Sequence, residues 1–546
     1  MSRHRDELLH FFDIDPPSAV SRRRFLALFG SGIVVAVSAR DLLALQEEGA
    51  PVSLARELPD DFNAFLRIGE DGRVTCFTGK IEMGQGVVTS LAQTLADELE
   101  VPLEFVDMEM GDTDLGLWDM GTFGSMTTRF FAPALRAAAA EAREVLLDLA
   151  AERLEAPRER LAARQGRVVD TADPGRGIGY AELTKGQAIG RRLGRKAPLQ
   201  KVSELDVVGR PVRRRDAEVK VTGRAAYAGD IRREGMLYAR LVRPPAHGAT
   251  LRSIDVAGVA AVEGATVIRD ADLVAVLHPT PDGAEQALAQ VKAQWDTPAS
   301  TVDQDSIFDH LVKVAPPGET VAEGGSLAAG RAAATASARR TFHDGYRAHA
   351  AIETHTALAA WEDGRLTIWA STQTPYPLRA EAAEALGLPE DGVRVVPPFL
   401  GGGFGGKSAN RQAIEAARLA RLTGRPVPGA WTRAEEFFYD TFRPAAVVTI
   451  DAGVTPAGRI SYWDYLVYFA GDRGADQFYD IPHHRTVSTP GGWRGIPGAH
   501  PFATGAWRAP GNNTNTFARE SHIDILAAAA GLDPVELRLR NLTDAK

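Results

Sequence analysis

Residues 401–408 read Gly-Gly-Gly-Phe-Gly-Gly-Lys-Ser, dense enough in glycine for the main chain to come close to a bound anion. The run fits the phosphate-loop spacing G-x-x-x-x-G-K-S, in which backbone N–H groups cradle phosphates and a lysine neutralises charge. It also fits the dinucleotide spacing G-x-G-x-x-G. Both fits are incomplete. Pro397-Pro398 interrupt the strand that should enter the loop, and no acid follows about twenty residues on, where Thr423-Gly424-Arg425-Pro426 reads as a turn. Asp451, the candidate magnesium-holding acid, runs straight into the hairpin signal Ala452-Gly453-Val454-Thr455-Pro456. A phosphate-loop ATPase is therefore the weaker alternative for this segment, and tight packing alone is a third.

Other chemistry-bearing residues cluster without a familiar spacing. His343, His349, Glu353 and His355 are metal-ligand types, but they match neither the zinc helix motif nor one face of a strand. Their position ahead of Gln373 points to packing near that residue. His483-His484 is read the same way, and Arg213-Arg214-Arg215 as a solvated charged face. A second glycine turn, Gly79 to Gly86, feeds a helical pattern from Val87 to Leu99.

The frame for these residues is large. At about 150 residues per domain, 546 residues supply several domains, and 45% hydrophobic with 24% charged residues is globular composition. Lys and Arg number 62 against 71 acids, a net charge of −9, so there is no basic footprint for nucleic acid. One cysteine, Cys76, excludes an internal disulfide and a four-cysteine iron–sulfur site within this chain. Ser21-Arg22-Arg23-Arg24-Phe25-Leu26 and the apolar run to Ala39 are similar to a twin-arginine leader, which implies export across the bacterial inner membrane as a folded protein.

The body alternates patterns of period 2 and 3.6. A hairpin is expected over Phe65–Ile68 and Arg73–Phe77, and an alanine-rich helix over 133–155. Residues 156–205 read as irregular connection. Strands are expected at Met236–Val242, Ala265–Ile268 and Leu273–Leu277, with a helix over Asp282–Trp295, and 297–338 reads as loop-rich. The last third suggests strands at Arg365–Ala370, Val393–Val396 and Val447–Ile450. Its helices are expected over Arg379–Leu386, Ser408–Leu422 and Thr516–Ala530, with a final helix capped by Asp533.

Four segments together, Glu82-Met83-Gly84-Gln85-Gly86, Ser371-Thr372-Gln373, Gly401 to Lys407 and Trp507-Arg508-Ala509-Pro510-Gly511, carry a resemblance to the molybdopterin-binding large subunits of the xanthine dehydrogenase and aldehyde oxidase family. A fifth, Glu520 to Asn541, resembles the helical segment after the arginine turn. The Met-Gly-Gln-Gly segment precedes the glycine loop here, an order similar to the isoquinoline 1-oxidoreductase type of subunit. The resemblance implies a multidomain α+β fold with a split molybdopterin-binding domain and an inserted hammerhead domain. The parts would be a leader and joint at 1–45, cofactor-binding parts at 60–205 and 335–546, and the hammerhead-like module, opening near Tyr227-Ala228-Gly229-Asp230-Ile231, at 210–300.

It further implies roles. Gln373 would hydrogen-bond an oxo ligand of molybdenum, Gly403, Phe404 and Gly405 would border the metal, and Arg508 would line its side of the pocket. Gly84, Gln85 and Gly86, with Gly124, Ser125 and Thr127, would hold the pterin and diphosphate of a molybdopterin cofactor, expected in its cytosine dinucleotide form. No residue would ligate the metal directly, since the pterin dithiolene holds it. The implied reaction is hydroxylation of an N-heterocycle or oxidation of an aldehyde with oxygen from water. Electrons would pass to [2Fe–2S] clusters on a small partner subunit and onward to a cytochrome-type acceptor. The implied location is the periplasm or the periplasmic face of the inner membrane. The family's catalytic glutamate sits in a Gly-x-Gly-Glu-type segment that this sequence does not contain, so no general base is nominated, and an inactive cofactor-binding remnant is a further reading. Ser408 replaces the acid that binds purine in relatives, which argues against xanthine.

Overall fold

A computed structural model of the chain describes residues 32–37, 64–186, 188–192, 197–300, 302–362, 364–489, 491 and 496–542. Among the described residues the three larger hydrophobic cores each lie against one of three main sheets, with a smaller α+β module between the first and second along the chain.

The first sheet runs in the order Val106–Met110, Val74–Thr78, Ala64–Ile68, Gly32–Val37, Ala188–Arg192. The hairpin forms as its alternation predicts, antiparallel from Ala64↔Thr78 to Ile68↔Val74. Helices Val87–Leu99 and Ala132–Leu154 cover the sheet because leucines and alanines recur on one face of each. Leu91, Leu95 and Leu99 meet Leu135, Ala139 and Leu146 in one buried cluster. Cys76 lies in this core, and burial pushes its thiol up to about 12, which leaves it chemically inert. Six residues of the leader-like apolar run, Gly32–Val37, form a strand between Ala64–Ile68 and Ala188–Arg192. The arginines and Ser38-Ala39 lie outside the described residues.

The second sheet, ordered Val393–Val396, Arg365–Ala370, Thr356–Glu362, Val427–Ala430, is covered by helices Pro375–Leu386 and Arg411–Thr423. The third, ordered Glu319–Gly324, His484–Ser488, Ile460–Tyr468, Ala446–Val454, Ala336–Asp344, packs beneath Asn512–Ala529 and Pro534–Arg540. Asp533 caps the last helix as its sequence predicts, accepting from the Val535 and Glu536 N–H groups at 2.8 and 3.1 Å.

Three expectations fail. Residues 156–205 are not irregular: Leu161–Arg164, Arg167–Asp170 and Asp173–Gly179 form a three-stranded antiparallel sheet. The Asp-Pro-Gly-rich third strand sits at an edge, where proline is tolerated. The 297–338 stretch is not loop-rich; it contains helices Ile307–Val314 and Leu327–Ala333 and the edge strand Glu319–Gly324. The helix expected over Asp282–Trp295 ends at Leu288, and Lys292–Asp296 pairs antiparallel with Thr250–Asp255. Among the described residues no helix is long and apolar enough to cross a membrane.

The first body joins the second through Asp112, Thr113 and Asp114. Arg394 reaches Asp112 at 2.5 Å and Arg365 reaches Asp114 at 2.7 Å, while the Thr113 N–H donates to the Val395 carbonyl at 3.1 Å and the Val395 N–H donates to Thr113 Oγ1 at 2.9 Å. Beneath this junction Lys80 and Asp119 form a wholly buried pair at 2.8 Å. Lys80 also donates to the Gly121 carbonyl at 2.8 Å. Burial pushes the Asp119 carboxyl up, and the Lys80 ammonium opposes that shift. Removing one member leaves the other charged and dry. Asp119→Ala is expected to lower stability in urea unfolding by about 3–5 kcal/mol, and Lys80→Met with Asp119→Leu to recover most of that loss.

Candidate functional site

The site is built around the end of strand Arg365–Ala370, where Ser371-Thr372-Gln373-Thr374 turns into helix Pro375–Leu386. Gln373 is 2% exposed. Its side-chain amide is fixed at both ends: Nε2 donates to the Thr122 carbonyl at 2.9 Å, and Oε1 accepts from the Gly405 N–H at 2.8 Å. Its main chain is held as well, by Lys407 O at 2.7 Å and Thr122 N at 3.0 Å. One residue thus staples the first body to the glycine loop, and the second Nε2 proton remains for another acceptor.

The glycine loop docks in turn on the arginine turn. The Arg508 N–H donates to the Phe404 carbonyl at 2.9 Å, and the Arg508 guanidinium lies 5.5 Å from the Phe404 ring centroid. Two glycines are sterically required. A Cβ on Gly403 would lie 2.4 Å from Gln373 Oε1, and one on Gly405, whose φ is +113°, would lie 1.9 Å from the Ala506 carbonyl. Phe404 itself has φ +58° and is 42% exposed, so a large ring is held toward solvent by a strained backbone.

The first body contributes two turns, and the Ile81 N–H to Thr122 Oγ1 bond at 2.8 Å sets them side by side. Gly124 and Ser125 both have positive φ, +65° and +58°. They are exposed and lead into a helical stretch that starts at Thr127 with no side chain capping its first turn. This leaves N–H groups for an anion. The turn at 82–86 closes on itself. Glu82 already accepts from Gly84, Gly86 and Val88 at 2.8, 3.0 and 3.0 Å, and Gln85 folds back onto Met83 and Ile81. This turn offers a ligand its open Gly84 face, where a Cβ would meet nothing within 4 Å, rather than those N–H groups. Arg214 is not a solvated bystander: it donates to the Gly84 carbonyl at 2.9 Å and pairs with Asp216 at 2.7 Å.

The phosphate-loop reading does not survive. Lys407 is 1% exposed and points inward to Glu353 Oε2 at 2.8 Å, while Glu353 also accepts from Gly401 N at 2.8 Å. Burial lowers the Lys407 ammonium, with Glu353 opposing. The following helix starts only at Arg411, short of the Ser408 start expected. Asp451 pairs with Arg331 at 2.9 Å in the middle of a sheet.

Of the histidine cluster, His349 and His355 with Glu353 converge below the glycine loop, whereas His343 stacks on Phe308 elsewhere. His483 accepts from Ser326 N and His484 contacts the Ile481 carbonyl. The sequence reading missed Asp440 and Glu436, which complete the convergent cluster from helix Arg433–Tyr439 and its C-terminal end. The Thr432–Glu435 capping box marked that helix, but nothing local marked Asp440. His355, Glu436 and Asp440 each bring a possible ligand atom within 4.8 Å of the others. Their charge is met from within, because Arg433 lies 3.6 Å from Glu436 and His349 2.9 Å from Asp440.

The site thus brings turns of two bodies, around 82–86, 122–125 and 403–405, together with the Arg508 turn. Two family models, each described as molybdopterin cofactor-binding domain, match residues 42–227 and 313–542. The chain belongs to the molybdopterin-binding subunits of the xanthine dehydrogenase family. It is 31% identical to a nicotinate dehydrogenase chain of Pseudomonas putida, over 88% of this chain and 43% of that one. It is 25% identical to the beta chain of isoquinoline 1-oxidoreductase from Brevundimonas diminuta, over 96% and 75%. The crystal structure of quinoline 2-oxidoreductase from Pseudomonas putida 86 shares the fold, with a TM-score of 0.52 and 23% identity over 61% of this chain and 50% of that one. The chain spans about half the length of several curated relatives it matches.

The residues present fit the cofactor: an amide with a spare donor, glycines with no room for a side chain, and an uncapped helix start. Gly405→Ala is expected to lower stability by about 1–3 kcal/mol from backbone strain, and further through the Ala506 clash. Gly84→Ala should show only a strain loss of about 1–2 kcal/mol; thermal unfolding of the two variants side by side checks the difference.

Proposed function

We propose that this chain is the molybdopterin-binding part of a molybdenum hydroxylase that oxidises an aldehyde or an N-heterocycle with oxygen from water and passes electrons to a [2Fe–2S] subunit. The observation that carries this reading is the Gln373 staple, which ties the glycine loop, and through Phe404 the Arg508 turn, to Thr122, just ahead of Gly124–Ser125. When bound, molybdenum–molybdopterin supplies a two-electron oxidation coupled to oxygen transfer from water. The protein's part is positioning. Gln373 would offer its remaining amide proton to the group. The Gly124–Ser125 turn and the Thr127 helix start offer N–H donors to the diphosphate, in the cytosine dinucleotide form we expect. Phe404, held outward under Arg508, presents an apolar face to a flat substrate. Ser408 carries no charge, which favours a neutral substrate over a purine.

A partner for electron transfer is supported by the inert, buried Cys76, the one cysteine of this sequence. A cytochrome-type acceptor beyond it is part of the same proposal. We also propose periplasmic delivery by the Arg22-Arg23 leader. A cut after Ala39 would remove the strand Gly32–Val37 with it, so the N-terminal sequence of exported protein separates a cleaved leader from a retained one.

The test of function is metal and nucleotide content. Protein made in a host that synthesises the cofactor should hold close to one molybdenum per chain by mass spectrometry and release cytidine monophosphate on acid hydrolysis. Gly403→Ala, which drives a methyl group into Gln373, should lower occupancy roughly tenfold, the equivalent of about 1.4 kcal/mol. A folded chain without molybdenum under these conditions overturns the proposal. Molybdenum bound with no turnover of aldehydes or N-heterocycles, in the presence of an iron–sulfur partner, identifies a carrier instead.

A further inference from the structure

His349 is buried at 6% exposure, and each of its ring nitrogens faces an oxygen. Nδ1 lies 2.9 Å from Asp440 Oδ2, and Nε2 lies 3.0 Å from the Ala506 carbonyl. A backbone carbonyl only accepts, and so does an ionised carboxylate. A neutral imidazole has one N–H and satisfies one of these contacts. Asp440 accepts a further hydrogen bond, from the Thr441 N–H at 2.7 Å to Oδ1. With Asp440 ionised, both contacts are hydrogen bonds only if both nitrogens carry protons.

The charge around the ring argues the same way. Glu353, Glu436 and Asp440 are three carboxylates below the glycine loop, and Lys407 and Arg433 are two fixed cations, Lys407 on Glu353 and Arg433 beside Glu436. A protonated His349 supplies the third. His355 lies between Glu436 and Asp440, at 3.7 and 3.9 Å, and contacts the Gly406 carbonyl at 3.2 Å.

The ring sits where two cofactor-facing segments meet. A Cβ on Gly406 would lie 2.8 Å from His349 Cγ, and Ala506, whose carbonyl His349 holds, is packed onto Gly405. We infer that His349 is a positioning residue: as an imidazolium it bonds Asp440 and Ala506 at once and so clamps the arginine turn, Ala506-Trp507-Arg508, against the glycine loop. The clamp opens when pH rises far enough to remove one of its two protons. This inference rests on the molybdopterin reading only for which ligand the clamped segments face.

Burial by itself disfavours the charged ring, but the hydrogen bond and charge of Asp440, the Ala506 carbonyl and the more distant Glu436 outweigh it, so the group titrates above the ordinary histidine range. The sign follows. A raised folded-state value means that the clamp's stabilisation is complete below the unfolded value of about 6.5 and is lost as pH climbs through the folded value.

Hydrogen–deuterium exchange at the imidazole Cε1, followed by mass spectrometry across pH on the full chain, reads each histidine's midpoint. The expected result is a His349 midpoint above 6.5, lowered by Asp440→Asn. Amide exchange over residues 504–510 should rise in a step at the same midpoint, beyond its intrinsic pH dependence. In His349→Gln it should be fast at every pH, with no step. A midpoint at or below the ordinary range overturns the inference, and so does a raised midpoint with no step in the turn. If His349→Gln fails to fold, Asp440→Asn carries the test. None of these readouts needs bound molybdenum, so absence of the metal defeats the functional proposal and leaves the clamp standing.

Discussion

Everything at the site depends on a buried amide whose two ends are spoken for by different parts of the chain. Gln373 has Thr122 at one end and Gly405 at the other, separated in sequence by 251 and 32 residues. A buried donor or acceptor left without a partner costs about 1–3 kcal/mol, so this side chain imposes one relative position on the first body and the glycine loop. The requirement propagates outward. Thr122 fixes Ile81 and the 82–86 turn, and Phe404 fixes Arg508. The cradle is therefore a chain of mutual constraints rather than a set of independent loops.

Buried charge underlies this arrangement. Lys80 with Asp119, Lys407 with Glu353 and His349 with Asp440 each sit directly beneath one of the converging turns. Such pairs add little net stability against apolar replacements, yet breaking one is expensive. Their use here is to hold main-chain carbonyls and N–H groups in fixed directions: Gly121 by Lys80, Gly401 by Glu353, Ala506 by His349. The glycines do the complementary work. Where Gly403 and Gly405 touch Gln373 and Ala506, any side chain would part the segments that the charges draw together.

The same lysine that makes residues 401–408 look like a phosphate loop shows how a motif misleads without its surroundings. In a phosphate loop the lysine must point at the ligand; here Lys407 points into the protein, matched to a carboxylate 54 residues earlier in the chain. The glycines remain, but what they accommodate is the neighbouring chain and a ring held outward by a strained backbone.

The sequence by itself determined the elements whose instructions are local. Helix Val87–Leu99 and the capped final helix follow from residue spacing and end signals, and the hairpin at 64–78 follows from alternation around a turn. The order of glycine and arginine motifs likewise pointed to the family before any contact was known. Tertiary structure alone decided what depends on partners far along the chain. The strand Lys292–Asp296 exists because Thr250–Asp255, well before it in the chain, lies beside it. Asp440 looks like an ordinary helix-end acid until folding places it against His349. Glu82 takes up the N–H groups of Gly84, Gly86 and Val88, a closure that residue order alone does not announce. Periodicity and capping act within a few residues and can be read in order, whereas burial, charge pairing and hydrogen-bond satisfaction are settled between segments that only the folded chain brings within 3 Å.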